Sequence, residues 1–296
     1  WTQRISELAA MPRLLRGFGV DPAPLLARVG LPPDALASPD SHAPFAALVQ
    51  LISEAVRETG CPHFGLLVGG CWTLADSGMA GELTRCSATL GEALETLTVY
   101  QRLNSQAGAA YLARYPDAGT VALGFAVFHP QVTQLSTVYD IAIAAQVSGT
   151  RELCGRDWNP GEVLLPRTRP ADVTPYRLFF RCPVRFDSEQ AAIHFPASDL
   201  ERTVASGDPA RKRRLEAEAA PLLDHDLTLR LYRSLRLLLI DGAVKGASLA
   251  HHFGMHRRTL ERRLKAQGIT FQSVLDDVRF EVARQLLVDT QLAVGQ

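Results

Sequence analysis

The sequence predicts an α+β amino-terminal domain followed by an all-α carboxy-terminal domain. Residues 1–203 mix segments that have helical apolar spacing with short segments that alternate as strands do. Residues 226–296 instead carry a helix, a glycine turn and two further helical segments. Between them, residues 204–225 contain the turn letters SGDP and then the basic run RKRR. These observations predict two domains, 1–203 and 226–296, joined by a linker over 204–225.

Two capped segments give the clearest helix signals in the amino-terminal domain. Residues 45–58 follow Pro44, a residue favoured in the first turn of a helix, and stop at Gly60. Residues 89–104 open with Thr89 and Glu92 in the spacing of a capping box, which satisfies early backbone amides. We predict a helix in each segment.

The second half of this domain adds strands. Two alternating segments flank the turn letters PDAG, a pattern typical of a hairpin. The remaining predictions are strands at 162–166 and 191–195, a long helix at 132–153, a short helix at 176–180, and a helix within 215–223. The amino-terminal domain is therefore predicted to be α+β.

No residue set in the amino-terminal domain predicts catalysis. Gly65, Gly69 and Gly70 form neither a dinucleotide fingerprint nor a phosphate loop, and they fit close helix packing. Ser77 lacks the preceding glycine pattern of a nucleophile elbow, and no ordered Ser/His/Asp set accompanies it. We predict that the chain is not an enzyme and needs no cofactor.

Five aromatic residues leave two interpretations open. They could line an apolar ligand pocket, or they could belong to ordinary core packing, which is the more frequent case. The residues are Tyr111, Tyr115, Phe125, Phe128 and Tyr139.

Composition predicts a cytoplasmic protein with a charge asymmetry. The five cysteines are odd in number and form no C-x-x-C pair, which suits reduced thiols. The densest apolar run, 237–240, is too short to span a membrane. From Val204 onward, 15 Lys and Arg face 11 Asp and Glu, a net charge of +4, whereas the preceding residues carry 16 against 20, a net of −4. A basic carboxy-terminal part is typical of a DNA-binding domain beside a separate sensor.

Residues 246–268, GASLAHHFGMHRRTLERRLKAQG, predict a helix-turn-helix. Gly254 suits the tight connection, and Leu260 and Leu264 supply the core contacts of the second helix. That helix would present much of its charge outward, as a recognition helix in the DNA major groove does. On this pattern alone, a charged helix on a solvated surface is an equally good interpretation.

Three histidines in the same segment raise a metal-binding alternative. Gly254 interrupts the helix that would align His252 with His256, and no carboxylate or cysteine joins them or His251. We therefore predict no metal site.

The residues that follow resemble a known family. The succession LERRLKAQGITFQSVLDDVRFEVARQLLVDTQLAV resembles the AraC-type DNA-binding domain, with its L-x-R-x-L recognition helix and its long linker helix. Those positions are Leu260, Arg262, Leu264, Gly268, Phe271, Arg279, Ala283, Leu286 and Leu287. The linker helix is expected over 272–290, with an apolar face formed by Val274, Leu275, Val278, Ala283, Leu286 and Leu287.

Two departures from that family pattern carry expectations of their own. His256 occupies the position before the recognition helix where Ser, a better cap, is usual. The family domain has two helix-turn-helix units, and the chain stops at Gln296, where the second would begin; it also starts at Trp1 rather than Met. We expect a fragment that is incomplete at both ends and that binds DNA weakly.

The amino-terminal domain resembles the arabinose-binding-type domain of a branch of AraC/XylS-family regulators. The resemblance is carried by GFGVDPAPLLARVGLPPDAL, PHFGLLVG, TLGEALETL and PVRFDSEQAAIHFPASDL. It implies a domain that senses a small molecule, dimerises, or does both. A ligand-independent regulator with a pure dimerisation scaffold is the alternative.

These resemblances imply a sequence-specific transcriptional regulator that binds double-stranded DNA in the major groove. Arg258, Glu261 and Arg262 are the expected base-reading residues. Arg257, Arg263 and Lys265 are the expected contacts to the DNA backbone. An arginine at position 262 has the alternative role of bracing the domain. The partners implied are a small-molecule effector, a second copy of the chain and, for an activator, RNA polymerase, with no membrane.

Overall fold

A computed structural model describes residues 1–38, 40–129, 132–223, 235, 257–266 and 269–292. The helices of the described residues are α1 (Met11–Gly17), α2 (Pro22–Arg28), α3 (Phe45–Thr59), α4 (Phe64–Gly70), α5 (Gly78–Arg85), α6 (Leu90–Tyr100), α7 (Ser136–Cys154), α8 (Thr174–Phe180), α9 (Pro209–Ala219), α10 (Arg257–Ala266) and α11 (Phe271–Asp289). The strands are β1 (Thr2–Arg4), β2 (His42–Pro44), β3 (Gly108–Tyr115), β4 (Thr120–Val127), β5 (Glu162–Leu164), β6 (Val184–Arg185) and β7 (Ala191–Pro196).

A five-stranded sheet organises residues 1–204, which we call the amino-terminal region. Its order is β3-β4-β7-β5-β6, antiparallel except for the parallel pair β5–β6. The predicted hairpin is confirmed: β3 and β4 pair through the PDAG turn, where Gly119 takes φ +62°. Strands β1 and β2 form a separate antiparallel pair. The mixture of helices and strands that the α+β prediction requires of this region is thus observed.

The capping signals in the sequence correspond to real helix ends. The Thr89 hydroxyl accepts a hydrogen bond from the Glu92 amide at 3.3 Å, and α6 begins at the next residue, Leu90. Helix α3 ends where Gly60 adopts φ +61°, a left-handed conformation that favours glycine. Both predicted helices are confirmed, although α6 stops at Tyr100 and a 3-10 turn (Gln101–Leu103) follows it.

Small residues let α4 and α7 pack closely, as the glycine pattern predicted. A Cβ at Gly65 would lie 2.6 Å from the carbonyl oxygen of Thr137, and one at Gly69 would lie 2.8 Å from the Cβ of Ala144. Gly69 also faces the Ile141 carbonyl oxygen. Helix α7 therefore lies between α4 and the sheet, with Ile143, Ala144 and Val147 fully buried in the core.

Two predicted helices start at the wrong residue, and each error has a local cause. The helix predicted at 132–153 begins only at Ser136, because Gln134 takes φ +62° and cannot continue a right-handed helix. The helix expected within 215–223 is α9, which begins at Pro209 and ends at Ala219. Asp208 caps it by accepting from the amides of Ala210 and Arg211, so the basic run is helical.

Candidate nucleic-acid interface and its contact with the amino-terminal region

Helix α10 presents a continuous charged face. Arg258, Glu261, Arg262 and Lys265 are all exposed, and their spacing places them on one side of the helix. On the opposite side Leu264 is fully buried, as its predicted core role requires. The prediction of a helix with outward charge is confirmed for these positions. Arginine, glutamate and lysine side chains on one exposed face can meet base edges and phosphates together.

Several predicted positions lie outside the described residues. Residues 246–256, which include the predicted first helix, Gly254 and the three histidines, belong to this group. So do the side chains of Arg257 and Arg263, although their backbone is part of α10. Their expected phosphate contacts remain predictions.

The start of α11 is fixed by a capping box. The Thr270 hydroxyl accepts from the Ser273 amide at 3.0 Å, and the Ser273 hydroxyl accepts from the Thr270 amide at 3.0 Å. The first half of the helix buries Val274, Leu275 and Val278, as predicted. In the second half the predicted apolar face is wrong in part: Leu286 is half-buried, whereas Ala283 and Leu287 are exposed.

The last turn of α11 binds the amino-terminal region through polar groups. The Asp289 carboxylate accepts from the Leu135 amide at 3.0 Å, directly before α7, and its backbone carbonyl accepts from the Thr168 amide at 2.9 Å. Gln285 donates to the Tyr139 hydroxyl at 2.6 Å. The Gln291 amide donates to Asp187 at 3.0 Å. We call these four bonds the docking contact.

The charge of Asp289 suits its place at the start of α7. A carboxylate at a helix N-terminus is favoured by the helix dipole and by unsatisfied amides. Burial nevertheless raises the pKa of Asp289 to about 6, while hydrogen bonds from the Leu135 and Ser136 amides and the nearby Arg167 charge lower it. The docking contact therefore holds a carboxylate that titrates close to the physiological range.

A buried ion pair lies beside the docking contact. Asp140 on α7 is fully buried and pairs with Arg167, and the Tyr176 hydroxyl donates to the same carboxylate oxygen at 2.7 Å. Burial raises the pKa of Asp140 to about 6, and the Arg167 guanidinium offsets part of that rise. Because Arg167 also acts on Asp289, one guanidinium links α7 with the end of α11 electrostatically.

Two cavities lie near these groups. The first, the inner cavity, has a volume of about 40 Å³ and lies among α6, α7 and the β3–β4 hairpin within the amino-terminal region. The second, the interface cavity, has a volume of about 90 Å³ and is lined from one side by Val282, Gln285 and Leu286 of α11. Phe125 lines both cavities.

The five aromatic residues divide between the two interpretations. Tyr111, Phe125 and Tyr139 line the interface cavity and are also buried. Phe128 belongs to a small buried cluster with the alanines of the sheet. Tyr115 stacks on His194 with ring centroids 5.9 Å apart. Three of the five aromatic residues therefore both pack in the core and line a cavity.

The docking contact and the position of Lys212 could not be found from the sequence. Lys212, in the basic run of α9, is buried and donates to Glu92 at 2.5 Å and to Ser87 at 3.0 Å. Its neighbour Arg211 pairs with Glu82. Two of the four basic residues thus hold α9 against α5 and α6. Lys212 and Glu92 are separated by 120 positions, and no local pattern indicates their pairing.

The chain is similar along nearly its whole length to regulators of transcription. The HTH-type transcriptional regulator VirS of Mycobacterium tuberculosis is 26% identical over 297 residues, which cover 99% of this chain and 87% of VirS. The ornithine utilization regulator of Pseudomonas aeruginosa is 28% identical over 301 residues, covering 97% of this chain and 86% of that regulator. The solved structure of the transcriptional regulator CdpR from Pseudomonas aeruginosa shares the fold, with a TM-score of 0.51 and 24% identity, and covers 95% of this chain and 87% of that chain.

The family model identifies the group within this class. Residues 19–204 match the arabinose-binding domain of AraC transcription regulator, N-terminal. The match spans more than half of the sequence, and the chain belongs to this family of transcription regulators. Because the relatives are transcription regulators rather than enzymes, the prediction of a non-enzymatic protein is confirmed. No helix among the described residues is long and apolar enough to cross a membrane.

Proposed function

We propose that the protein is a sequence-specific DNA-binding regulator that reads its operator with α10 in the major groove. The observation that carries this proposal is the exposed face of Arg258, Glu261, Arg262 and Lys265, opposite the buried Leu264. Arginine binds guanine O6 and N7 with two hydrogen bonds, and a glutamate accepts from a cytosine amino group. Exposure of Arg262 favours base reading over the alternative bracing role.

Phosphate contacts would come from the remaining positive side chains of α10. We assign this role to Lys265, which is exposed, and to Arg257 and Arg263. Such contacts fix register on the duplex without reading its sequence. We further propose a domain division at 1–203 and 226–296, with a linker at 204–225 that includes α9.

The test compares two substitutions on the same helix face. The operator is first selected from a random-sequence DNA library with the full chain, and affinity is then measured by fluorescence anisotropy on operator and scrambled duplexes. Arg258→Ala is expected to weaken operator binding by about 1–3 kcal/mol and scrambled binding by less. Lys265→Ala is expected to weaken both duplexes similarly. Equal losses on both duplexes for Arg258→Ala would reassign it to the phosphates.

We also propose that the amino-terminal region senses a small molecule and dimerises, and that the docking contact conveys its state to α11. A ligand changes such a protein by binding two conformations with different affinities. Asp289 accepts a hydrogen bond from the Leu135 amide directly before α7, and Gln285 donates one to Tyr139 of α7; both bonds support this coupling. As a DNA-binding regulator the protein would act in the cytoplasm, as a homodimer, and would contact RNA polymerase if it activates.

The competing function is a dimerisation scaffold that takes no ligand. Sedimentation equilibrium on the full chain measures the dimer, and ligand-induced thermal stabilisation measures sensing. A stable dimer that no member of a metabolite library stabilises would favour the scaffold. A ligand that both raises Tm and changes operator affinity would favour the sensor.

A further inference from the structure

The inner cavity combines an apolar wall with a few buried polar groups. Most of its lining is aliphatic or aromatic, including Leu94, Leu97, Phe125 and Ile141. Its volume of about 40 Å³ leaves room for about three water-sized groups. A wall of this kind with few convergent polar groups is typical of a ligand site.

Two polar side chains in this lining have hydrogen-bonding atoms without a partner among the described residues. The indole nitrogen of Trp72 is a buried donor, and Oε1 of Gln146 is a buried acceptor. Both residues are nine-tenths or more buried, with exposed fractions of 9% and 8%. The Gln146 amide nitrogen donates to the Gly124 carbonyl at 3.0 Å, so the orientation of the amide is fixed. An unsatisfied buried polar atom costs free energy, and here a donor and an acceptor share one cavity.

Glu7 adds a carboxyl group to the same wall. It is the one titratable side chain that lines the cavity, and within the described part of the chain it forms no salt bridge. Burial raises the pKa of Glu7 to about 7, while a hydrogen bond with the Gln3 side chain and the charge of Arg4, which is itself paired with Asp40, lower it. The Glu7 side chain is only partly exposed, and a carboxylate largely withdrawn from water is costly unless an opposite charge accompanies it. A ligand that carries a cation would supply that charge.

We propose that the inner cavity is the effector site and that it takes a small, mainly apolar primary amine. The ammonium group would pair with the Glu7 carboxylate and donate to Oε1 of Gln146. The alkyl portion would occupy the wall formed by the leucines and Phe125. An effector that also carries a hydrogen-bond acceptor would satisfy the Trp72 indole. The inference rests on the proposed sensing function and gives it a site and a ligand class.

The interface cavity is a weaker candidate. Its polar lining is largely engaged, since Tyr111 donates to Gln190 at 3.4 Å and Gln285 donates to Tyr139. Among the described residues that line it, there is no pair of unsatisfied atoms comparable with Trp72 and Gln146. We therefore assign it to the coupling between ligand and α11 rather than to ligand binding.

A short chain of contacts connects the inner cavity with α11. Phe125 lines the cavity and packs edge-to-face on Tyr139, with ring centroids 6.5 Å apart and planes at 75°. The Tyr139 hydroxyl accepts from Gln285 of α11. A ligand that moves the Phe125 ring therefore acts, through one aromatic neighbour, on the docking contact.

Matched probes test the ligand class on the full chain. Methylamine and ethylamine are compared with methanol and ethanol, which are neutral, and with formate and acetate, which are anions. The amines are expected to raise Tm by about 2 °C near saturation, the alcohols by less, and the anions not at all. Equal shifts for amine and alcohol, or a larger shift for the carboxylate, would overturn the amine assignment.

Substitutions in the chain test whether the amines bind in the inner cavity. Glu7→Gln keeps the shape of the side chain and removes the charge, and we expect amine affinity to fall at least about tenfold. Glu201→Gln makes the same change at an exposed position and should leave it unchanged. Ala145→Leu fills the cavity and should abolish the shift even with Glu7 intact. If Glu7→Gln and Ala145→Leu leave the amine effect unchanged, the site is elsewhere.

Operator binding measured on the same samples separates this inference from the proposed function. Unchanged amine effects in both variants, together with an operator-selective loss in Arg258→Ala, would overturn the site and leave the DNA-binding function intact. Conversely, an amine effect that depends on Glu7, with no sequence preference in DNA binding, would support the site and overturn the regulator.

Discussion

The amino-terminal region and α10 use charged side chains in opposite ways. In the former, Asp140 and Arg167 are largely withdrawn from solvent and paired with each other, and just beyond it Lys212 of α9 is buried and paired with Glu92. In α10, Arg258 and Arg262 are exposed. Charged side chains that are buried and paired favour one arrangement of the chain, whereas exposed charged side chains can be reached by another molecule. The contrast is consistent with the recognition role that we propose for α10.

Helix α11 combines both strategies along a single element. Its first half buries Val274, Leu275 and Val278, and its last turn forms the docking contact through Gln285 and Asp289. Polar contacts of this kind are directional and are broken by small displacements. We therefore expect this junction to be altered more easily than the core of the amino-terminal region.

The largest expected effect comes from adding one carbon atom to the amino-terminal core. Gly69→Ala would place a Cβ against the Ile141 carbonyl and 2.8 Å from Ala144, and α4 and α7 would have to separate. We expect a loss of about 3 kcal/mol in the free energy of unfolding, measured by urea titration. Gly17→Ala is the control, since nothing lies within 4 Å of its new Cβ. Equal stability of the two variants would show that the core is not close-packed there.

A smaller loss is expected when the docking contact is broken. Asp289→Ala removes the acceptor for the Leu135 amide, a change comparable to the loss of a helix cap, which costs about 0.5–2 kcal/mol. Hydrogen exchange should show faster exchange at Leu135 and in the last turn of α11, with the core of α7 unchanged. Asp289→Asn retains an oxygen acceptor and should lose less.

Asp277→Ala is the matched control on the same helix, because Asp277 is exposed. If it accelerates exchange at Leu135 as much as Asp289→Ala does, the effect belongs to α11 as a whole. The docking contact would then not be the specific contact that joins α11 to the amino-terminal region.

Local signals in the sequence predicted the elements of the fold well. The Thr89 cap, the stop at Gly60 and the PDAG turn each act within a few residues, and each is found in the structure. The start of α9 was missed because Asp208 and Pro209 suit both a turn and a helix start. In the structure Asp208 caps the helix and Pro209 is its first residue. The charge pattern of the sequence could not distinguish this helix start from a turn.

Long-range pairings were beyond the reach of such signals. The Leu135 amide and Asp289 are 154 positions apart, and Tyr139 and Gln285 are 146 apart. Nothing in the spacing of either segment specifies its partner. The outward face of α10, by contrast, followed from the spacing of Leu260 and Leu264, because helical periodicity relates neighbours on one element. Its recognition roles remain predictions.

The smallest expected effect is on the pH dependence of the free energy of unfolding. The pKa of the Glu7 carboxyl is about 7 in the folded chain and near 4.5 when unfolded. Between these values the folded protein retains a proton that the unfolded chain has released, so stability falls as pH rises from about 4.5 to 7. Asp140 and Asp289, both raised from 3.8 to about 6, act in the same direction over a lower range.

Urea titrations from pH 5 to 7.5 measure this slope. We expect Glu7→Gln to remove on the order of 1 kcal/mol of the pH dependence, since one pKa unit corresponds to about 1.4 kcal/mol and solvent screening reduces it. Glu201→Gln should keep the full slope, because it changes an exposed carboxylate. If Glu7→Gln leaves the pH dependence of stability unchanged, the Glu7 carboxyl is ionised across this pH range. An amine in the inner cavity would then pair with a carboxylate that is already charged. Loss of the slope would instead mean that amine binding releases a proton from Glu7, and that affinity rises with pH.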